Sequence, residues 1–429
     1  MAINHRLIHT PDGVKDYMPI EFAAKAAVER RLEAVFDSHA FARVSSPMFE
    51  YADVFDEKGS VTQTSIYKFI DRDGSVLALR SDMTPQIARM AATLCHQEDV
   101  PLRFSYVENA FRYNESYQGK LKEFTQAGVE LIGINSDAAS AEVIALAISS
   151  LLAVGLKDFR IDIGQVQFFQ GILEEGGFDE DACHMMRKSI VERDYVAVET
   201  AARFANVPDN VRMVLSDLPL LIGGAEVLQK ARSLTTNTTA LSALANLENI
   251  FDILCACGME KYIAFDLSMV GHLDYYTGII FRGYAYGTGS SVIDGGRYDH
   301  LTAHFGVEYP AVGFSIKIGM LLSALAAQNS ASTMQSTNDT TLLAYTKEGM
   351  ATAMSAASEL RGQGLRIENS LQNGNLAEAL QYAKSHGIGG ILFFEDTDNV
   401  VMADVATGVQ NRVKLSALLA GKGATSCGI

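Results

Sequence analysis

Paired strand-like runs joined by short polar loops constrain the fold of this chain more than any other feature. Within residues 101–134, FSYVENAFRY and FTQAGVELIG flank a polar loop at 114–122, and within residues 65–80 two runs meet around Asp73-Gly74. Such pairs are typical of hairpins. Further strand-like runs are FRIDIGQ, YIAFDLSMV, YYTGIIFRGYAY and SSVIDGGRYD. With helical segments between them, this order predicts an α+β fold on a mainly antiparallel sheet.

Helices are predicted from apolar periodicity. A segment that starts near Glu21 places Val28, Leu32 and Phe36 on one face. Residues 170–258 are rich in Ala and Leu, have few β-branched runs, and predict a helical insertion. The remaining helical predictions are residues 84–94, 137–155 and 312–327, the last of which closes the body.

The composition changes near residue 328. Residues 328–341 are rich in Ser, Thr and Asn without apolar periodicity, which is typical of a linker. The segment 342–429 then begins a β-α-β-α-β pattern of domain size. We therefore expect a body at 1–327 and a small C-terminal α/β domain.

Composition limits the classes of function. The formal net charge of −16 argues against a large nucleic-acid surface, which needs clustered Lys and Arg. The sequence has no apolar run long enough for a membrane span and no signal-peptide core near Met1. Five sparse Cys suggest a reducing cytoplasm. Cys255 and Cys257 form a lone C-x-C, which we interpret as two buried helix residues and not as a zinc site.

Three segments resemble active-site motifs of one enzyme family. They are FRYNESYQGKLKEFTQAGVELIG (111–133), MVGHLDYYTGIIF (269–281), and GGRYDHL followed by PAVGFSIKIGMLL (295–322). They are similar to the motifs of histidyl-tRNA synthetase, a class II aminoacyl-tRNA synthetase, and its non-synthetase relatives. The resemblance runs from GVKD at 13–16 through the C-terminal domain, which resembles an anticodon-binding domain. It implies a class II synthetase-like antiparallel sheet with flanking helices.

The resemblance also implies a histidine-type ligand pocket. In the family, an acidic side chain and a threonine receive the ammonium group, and a strand supplies groups for the amino group and the imidazole. An arginine meets the carboxylate, and two tyrosines line the imidazole pocket. The matching residues here are Asp82, Thr84, Arg112, Gln126, Glu130, Tyr275 and Tyr276. Asp82 stands where the family usually has glutamate.

Six of these residues, all except Arg112, also have a purely structural interpretation. Asp82 or Thr84 fits a helix N-cap. Gln126 and Glu130, four apart on a strand, fit the wet face of a sheet. The two tyrosines could face opposite sides of a sheet. The glycines of GGRYD could serve only a tight turn, and His272 could be an isolated polar group.

Several catalytic positions of the family are changed. Gly271 stands where the synthetase has its transition-state arginine, and Asn114 replaces the glutamate that meets adenine. Lys120 and Lys122 replace arginines of the same loop, and Gly319-Met320 replaces the Glu-Arg pair of motif 3. Because lysine and methionine lack the guanidinium fork, aminoacylation is expected to be lost. No catalytic residue, cofactor or metal ligand is predicted.

This combination resembles the regulatory subunits of the short-form ATP phosphoribosyltransferase. The resemblance implies a non-catalytic subunit, needed for activity and for histidine feedback in the first step of histidine biosynthesis. Implied partners are the short catalytic subunit, histidine as effector, and a second copy that pairs through motif 1 near 45–49, giving a homodimer within a hetero-oligomer. Two alternatives stay open: a divergent histidyl-tRNA synthetase, and a pseudo-synthetase that binds tRNA or an amino acid. The sequence also leaves open whether histidine binds this pocket or the subunit interface.

Overall fold

The computed structural model divides the chain into two compact units, Met1–Met334 and Gln335–Ile429. The residues that it describes are 8–55, 65–95, 99–113, 121–204, 207–270, 275–328 and 340–420. Most of the predicted linker at 328–341 therefore lies outside the described residues. None of the described helices combines the length and the apolar character needed to cross a bilayer.

The first unit begins with a long helix followed by paired strands. In chain order its elements are α1 (Pro19–Ser38), β1 (Ala42–Arg43), β2 (Phe49–Tyr51), β3 (Lys68–Ile70), β4 (Val76–Leu79), α2 (Thr84–Leu94), β5 (Leu102–Phe111), β6 (Glu123–Ile132), α3 (Asp137–Ala153) and β7 (Phe159–Gln165). Val28, Leu32 and Phe36 are buried on one face of α1, as predicted. Both predicted hairpins are confirmed, since β3 pairs with β4 and β5 with β6, each antiparallel.

The predicted helical insertion is also confirmed. Its elements are α4 (Val166–Gly176), α5 (Glu180–Val191), α6 (Tyr195–Phe204), α7 (Asp209–Asp217), the two-residue strand β8 (Ile222–Gly223), α8 (Glu226–Leu234) and α9 (Thr238–Ala256). The insertion connects β7 to β9 (Ile263–Asp266), which pairs with β7 in parallel. Because a parallel pair cannot be closed by a hairpin, this connection must be long.

The last part of the first unit corrects one prediction. It contains β10 (Ile279–Ala285), β11 (Ile293–Arg297), β12 (Ala311–Lys317) and α10 (Ile318–Ala327). The helix predicted over 312–327 is wrong in its first half, because residues 311–317 form a strand. Val312, Phe314 and Ile316 pack into the main core, while Gly313, Ser315 and Lys317 alternate with them along the strand. Apolar runs of this length fit both helix and strand, and here the neighbouring strands decide.

The main sheet has the order β1-β5-β6-β12-β11-β10-β7-β9-β8. Every pairing from β5 to β7 is antiparallel, which confirms the predicted sheet type. The main core joins side chains of these strands to α1, α3, α9 and α10. A separate three-stranded sheet has the order β2-β4-β3.

The second unit extends the predicted β-α-β-α-β pattern by two strands. Its elements are β13 (Thr340–Tyr345), α11 (Met350–Gly362), β14 (Arg366–Asn369), α12 (Leu376–Ser385), β15 (Gly390–Phe394), β16 (Asn399–Asp404), β17 (Gln410–Lys414) and α13 (Leu415–Leu419). The sheet order is β14-β13-β15-β16-β17. β13, β14 and β15 are parallel, whereas β16 and β17 add antiparallel.

Arg297, at the end of β11, fastens the start of α3 to the main sheet. The side chain is 6% exposed. Its guanidinium donates to the carbonyls of Ile134 and Ser136, both at 3.3 Å, and to Ser140 Oγ and Asp299 Oδ1, both at 3.0 Å. Asp299 completes a buried ion pair. The arginine of GGRYD is therefore structural.

We predict that Arg297→Ala lowers the free energy of unfolding by about 3 kcal/mol, because it leaves a carboxylate and two carbonyls without their donor. Urea denaturation measures the change. Arg203→Ala is the control, since Arg203 pairs with Glu199 at an exposed site and should change stability by less than about 0.5 kcal/mol. Equal losses in the two variants would contradict the structural role of Arg297.

Candidate functional site

A cavity of about 550 Å³ lies over the main sheet of the first unit. This volume is typical of small-molecule sites. All seven predicted pocket residues line it: Asp82, Thr84, Arg112, Gln126, Glu130, Tyr275 and Tyr276. They come from the start of α2 and the loop before it, from the residue after β5 and from β6, and from the segment before β10, so the tertiary fold brings three separated segments to one place.

Glycines make room for the larger side chains of the cavity. Gly313 of β12 lies directly opposite Glu130 of β6. A Cβ at Gly313 would come within 1.7 Å of Glu130 Oε2 and 2.5 Å of the Val129 carbonyl oxygen. A Cβ at Gly296 would lie 2.6 Å from the Tyr276 ring. Gly295 and Gly296 belong to strand β11, so the tight-turn interpretation of GGRYD is wrong.

Glu130 is a buried carboxyl group held by two hydroxyl donors. It is 1% exposed, and it accepts hydrogen bonds from Thr84 Oγ1 at 2.9 Å and from the Tyr298 hydroxyl at 2.5 Å. Burial, with a smaller contribution from the nearby Asp82, raises the pKa of Glu130 to about 8, and the two hydroxyl donors only partly oppose this. The group is therefore largely protonated at neutral pH.

Gln126 is 2% exposed and also lines the cavity, so the wet-face interpretation of Gln126 and Glu130 is wrong. Its side-chain nitrogen donates weakly to Ser315 Oγ at 3.4 Å. Within the described part of the chain, its buried oxygen Oε1 has no hydrogen-bond partner. An unsatisfied buried acceptor is unfavourable, and a ligand N–H would satisfy it.

Asp82 and Arg112 form the polar rim beside α2. Asp82 accepts the Met83 backbone N–H at 2.9 Å and lies 3.5 Å from an Arg112 nitrogen. Arg112 Nε donates to the Ser81 carbonyl at 2.8 Å. The N-cap interpretation is wrong, because α2 is preceded by Met83 and has no side-chain cap. Its second residue is a proline, which lacks one of the donors that a cap would satisfy.

Aromatic side chains form another wall. The rings of Tyr275 and Tyr276 lie 4.8 Å apart, and Tyr298 packs edge-on against Tyr275 at 5.9 Å. Because both adjacent tyrosines line the cavity, the opposite-sides interpretation is wrong. Burial raises the pKa of all three phenols, which stay neutral and able to donate. Tyr298 was not predicted, although it lies within GGRYD.

A cluster of charged side chains, which was not predicted from the sequence, lies next to these residues. Lys317 Nζ is 2.5 Å from Asp294 Oδ2, Ser291 Oγ donates to Asp294 at 2.8 Å, and Arg282 Nε is 3.7 Å away. Burial raises the pKa of Asp294, but Lys317 and Arg282 outweigh it, so the pKa is below its usual value. Asp294 thus partly neutralises these two cations.

The structure places the other sequence predictions as follows. Asn114, Lys120, Gly271 and His272 lie outside the described residues. The Met320 sulfur on α10 accepts a hydrogen bond from Ser290 Oγ at 3.5 Å, and Met320 is not among the residues that line the cavity. Cys255 and Cys257 are both exposed, so their predicted burial is wrong. They lie at the end of α9, beyond its buried face.

The buried carboxyl predicts a pH-dependent stability. The folded-state pKa of Glu130, about 8, exceeds its ordinary 4.5, so the unfolded chain releases this proton first as pH rises. The free energy of unfolding should fall between these values by about 1.4 kcal/mol per pH unit from this group. Urea denaturation from pH 5 to 8 should show a shallower fall for Glu130→Gln than for the wild type. Parallel pH profiles would contradict a protonated Glu130.

Comparison with known proteins agrees with this geometry. Residues 13–321 match the family model for histidyl-tRNA synthetase. An ATP phosphoribosyltransferase regulatory subunit of Acetivibrio thermocellus is 41% identical over 413 residues, which cover 96% of this chain and 98% of the relative.

Solved structures show the same fold. One is described as an ATP phosphoribosyltransferase regulatory subunit/histidyl-tRNA synthetase from Bacillus halodurans, with a TM-score of 0.81, 27% identity and coverage of 91% of this chain and 99% of that one. A histidyl-tRNA synthetase of a Nostoc species has a TM-score of 0.80 at 21% identity over 97% of this chain and 99% of that one, which supports the fold alone. The chain therefore belongs to the histidyl-tRNA synthetase-like family, in the branch of the ATP phosphoribosyltransferase regulatory subunits.

Proposed function

We propose that this chain is the non-catalytic regulatory subunit of a short-form ATP phosphoribosyltransferase and that histidine, the pathway end product, binds its cavity. The observation that carries the proposal is the meeting of all seven family-matched residues in one cavity. A regulator needs a site that binds its effector better in one state than in another. The cavity offers such a site, lined by acceptors for an amino group and by a carboxyl and a phenol that can hydrogen-bond an imidazole.

The polar groups of the cavity suit the ammonium group, the carboxylate and the imidazole of histidine. The Asp82 carboxylate, Thr84 and the unsatisfied Gln126 oxygen can accept the ammonium hydrogens. Among the described residues, Arg112 donates one hydrogen bond to a carbonyl, makes a long ion pair with Asp82 and lies over the Phe124 ring, so it can turn to the carboxylate. Glu130 and Tyr276 face the space for the imidazole, between aromatic walls.

The cavity is poorly equipped for adenylate chemistry. Met320 stands where motif 3 of the synthetase has an arginine, and its sulfur contacts the Ser290 hydroxyl. Lys317 and Arg282 are engaged by Asp294. An arginine that stabilises developing charge typically contributes a factor of about 10² to 10³ in rate. We therefore propose that aminoacylation is lost, and histidine-dependent exchange of pyrophosphate into ATP would contradict this.

The second unit also lacks the charge of a nucleic-acid surface. Residues 340–420 carry eight acidic and six basic side chains. Phosphate contacts depend on clustered cations. This supports a role for the chain without tRNA, despite the resemblance of this unit to an anticodon-binding domain.

The decisive test is the initial rate of the short catalytic subunit of the same organism, with and without this chain and then with histidine. We expect activation by the chain and inhibition by histidine. Glu130→Ala and Tyr276→Phe should retain activation, and Glu130→Ala should weaken histidine inhibition by about tenfold or more, since it removes the carboxyl group proposed to hydrogen-bond the imidazole. Tyr286→Phe is the control, because Tyr286 is exposed and outside the cavity.

Two outcomes would overturn parts of this proposal. If the chain does not activate the catalytic subunit, the regulatory role is wrong. If it activates but both cavity variants keep normal histidine inhibition, histidine binds elsewhere, for example at the subunit interface.

We further propose that the chain forms a homodimer through the three-stranded sheet. Phe49, Tyr51 and Phe69 are 54%, 58% and 41% exposed, and the rings of Phe49 and Phe69 lie 6.1 Å apart. β2 is also an edge strand of this sheet. An aromatic surface beside a free edge favours pairing with another chain. Motif 1, which includes Phe49, has this role in the family it resembles.

Sedimentation at micromolar concentration tests the dimer. We expect the wild type to sediment as a dimer or as a larger assembly built from it, and Phe49→Glu to shift it toward the monomer, because a buried unpaired carboxylate is unfavourable at an interface. Val409→Glu is the control at another half-exposed apolar site. A monomeric wild type would contradict the proposal.

A further inference from the structure

The cavity is wider than a single amino acid requires. Its floor crosses β6, β12, β11 and β10, where Glu130, Gly313, Gly296 and Ile280 are successive neighbours in register. With strands about 4.8 Å apart, this row spans roughly 14 Å. The lining then continues to Asp266 and Ser268, at and beyond the end of β9. An amino acid bound at Glu130 would leave this far half of the cavity, defined by Arg193, Tyr195, Asp266, Ser268 and Arg282, unfilled.

The helical insertion supplies one wall of the far half. The cavity is lined by Ile190 and Val191 at the end of α5, by Arg193 in the turn that follows, and by Tyr195 at the start of α6. The Tyr195 hydroxyl donates to Ser268 Oγ at 3.3 Å, and Ser268 in turn donates to Asp266 at 2.5 Å. The turn is therefore tied to the main body at the edge of the cavity.

Arg193 has a backbone conformation that is unusual for its residue type. It follows the C-cap Glu192 of α5, has φ +58°, and its N–H bonds to the Ile190 carbonyl at 2.9 Å. Helices commonly end this way with glycine, as α4 does at Gly177 and α9 at Gly258. A left-handed arginine is less stable than glycine there by about 1 kcal/mol. Departures from local preference of this kind concentrate at functional sites.

The carboxylates of the cavity lining bind other groups, which leaves the Arg193 guanidinium available to a ligand. Asp294 binds Lys317 and lies near Arg282, and Asp266 accepts hydrogen bonds from the Ser268 backbone and hydroxyl. Among the described residues, the Arg193 side chain makes no hydrogen bond or ion pair, and Arg193 is both exposed and part of the cavity lining. Its charge acts only at longer range, where it helps to lower the pKa of Asp162 against the larger effect of burial. Three lining cations thus face two carboxylates in this region.

We propose that the far half of the cavity is a second ligand site, in which Arg193 binds a small oxyanion group such as a phosphate. The guanidinium presents paired N–H donors that match such a group. Tyr195 and Ser268 line the same cavity and add hydroxyl groups to it. The site does not require histidine at Glu130. Its occupancy would order the α5–α6 turn, so the helical insertion would respond to a ligand in the cavity.

Titration calorimetry of the full chain with inorganic phosphate, at constant ionic strength, tests the site. Arg193→Gly is the informative variant, because glycine suits the left-handed backbone while the guanidinium is lost. We expect a melting temperature equal to or above that of the wild type and a loss of phosphate affinity of tenfold or more. Arg193→Lys should keep part of the affinity. Arg187→Ala is the control, since Arg187 lies on α5 and outside the cavity.

The outcomes separate this proposal from the histidine pocket. Glu130→Ala should lose histidine binding but keep phosphate affinity within about twofold. No phosphate binding by the wild type at millimolar concentration, or equal affinity in the wild type and Arg193→Gly, would overturn the second site. If Arg193→Gly also lowers the melting temperature, its loss of phosphate affinity could come from the loss of stability, so Arg193→Lys is the deciding variant. An Arg193→Lys protein with wild-type stability and no phosphate binding would likewise overturn the second site.

Discussion

A carboxyl group without a cation partner determines the arrangement of the whole cavity. Glu130 is buried on a central strand, and it is acceptable there only because Thr84 and Tyr298 donate to its two oxygens. Thr84 fixes the start of α2 against β6, and Tyr298 fixes the residues after β11. Gly313 must remain without a side chain on the facing strand. Three separate segments of the chain are thus held around one acidic group, and the groove between them is the cavity.

This arrangement explains how a synthetase-like body can serve regulation. The groups proposed to recognise an amino acid include Gln126 Oε1, an acceptor left unsatisfied among the described residues, and a carboxyl group, Glu130, whose pKa is raised by burial. In the adjoining floor, Lys317 and Arg282 are engaged by Asp294, so these two side chains are less available to stabilise a reacting phosphate. An effector site must bind its ligand without reacting with it. By thermodynamic linkage, a ligand that shifts the complex toward one state binds that state with higher affinity.

The helical insertion gains a role from its position. It joins two parallel strands, and a connection of this kind must cross one face of the sheet. The α5–α6 turn thereby reaches the cavity, where Tyr195 bonds to Ser268. An arginine replaces the usual glycine at the helix end, at some expense in local stability. An arginine in this left-handed position is expected if its guanidinium group is needed there more than a favourable backbone conformation.

Local pattern alone determined most elements of this chain, because side-chain periods of 2 and 3.6 fix which residues share a face. Gln126 and Glu130 could be placed together on β6 for that reason, and the family motifs indicated their neighbours. Only the tertiary structure showed that residues 311–317 form a strand, that Gly296 and Gly313 clear space for side chains, and that Tyr298, Lys317 and Arg193 reach the same cavity. These features depend on register between distant strands and on the burial that results, which no short window of sequence contains.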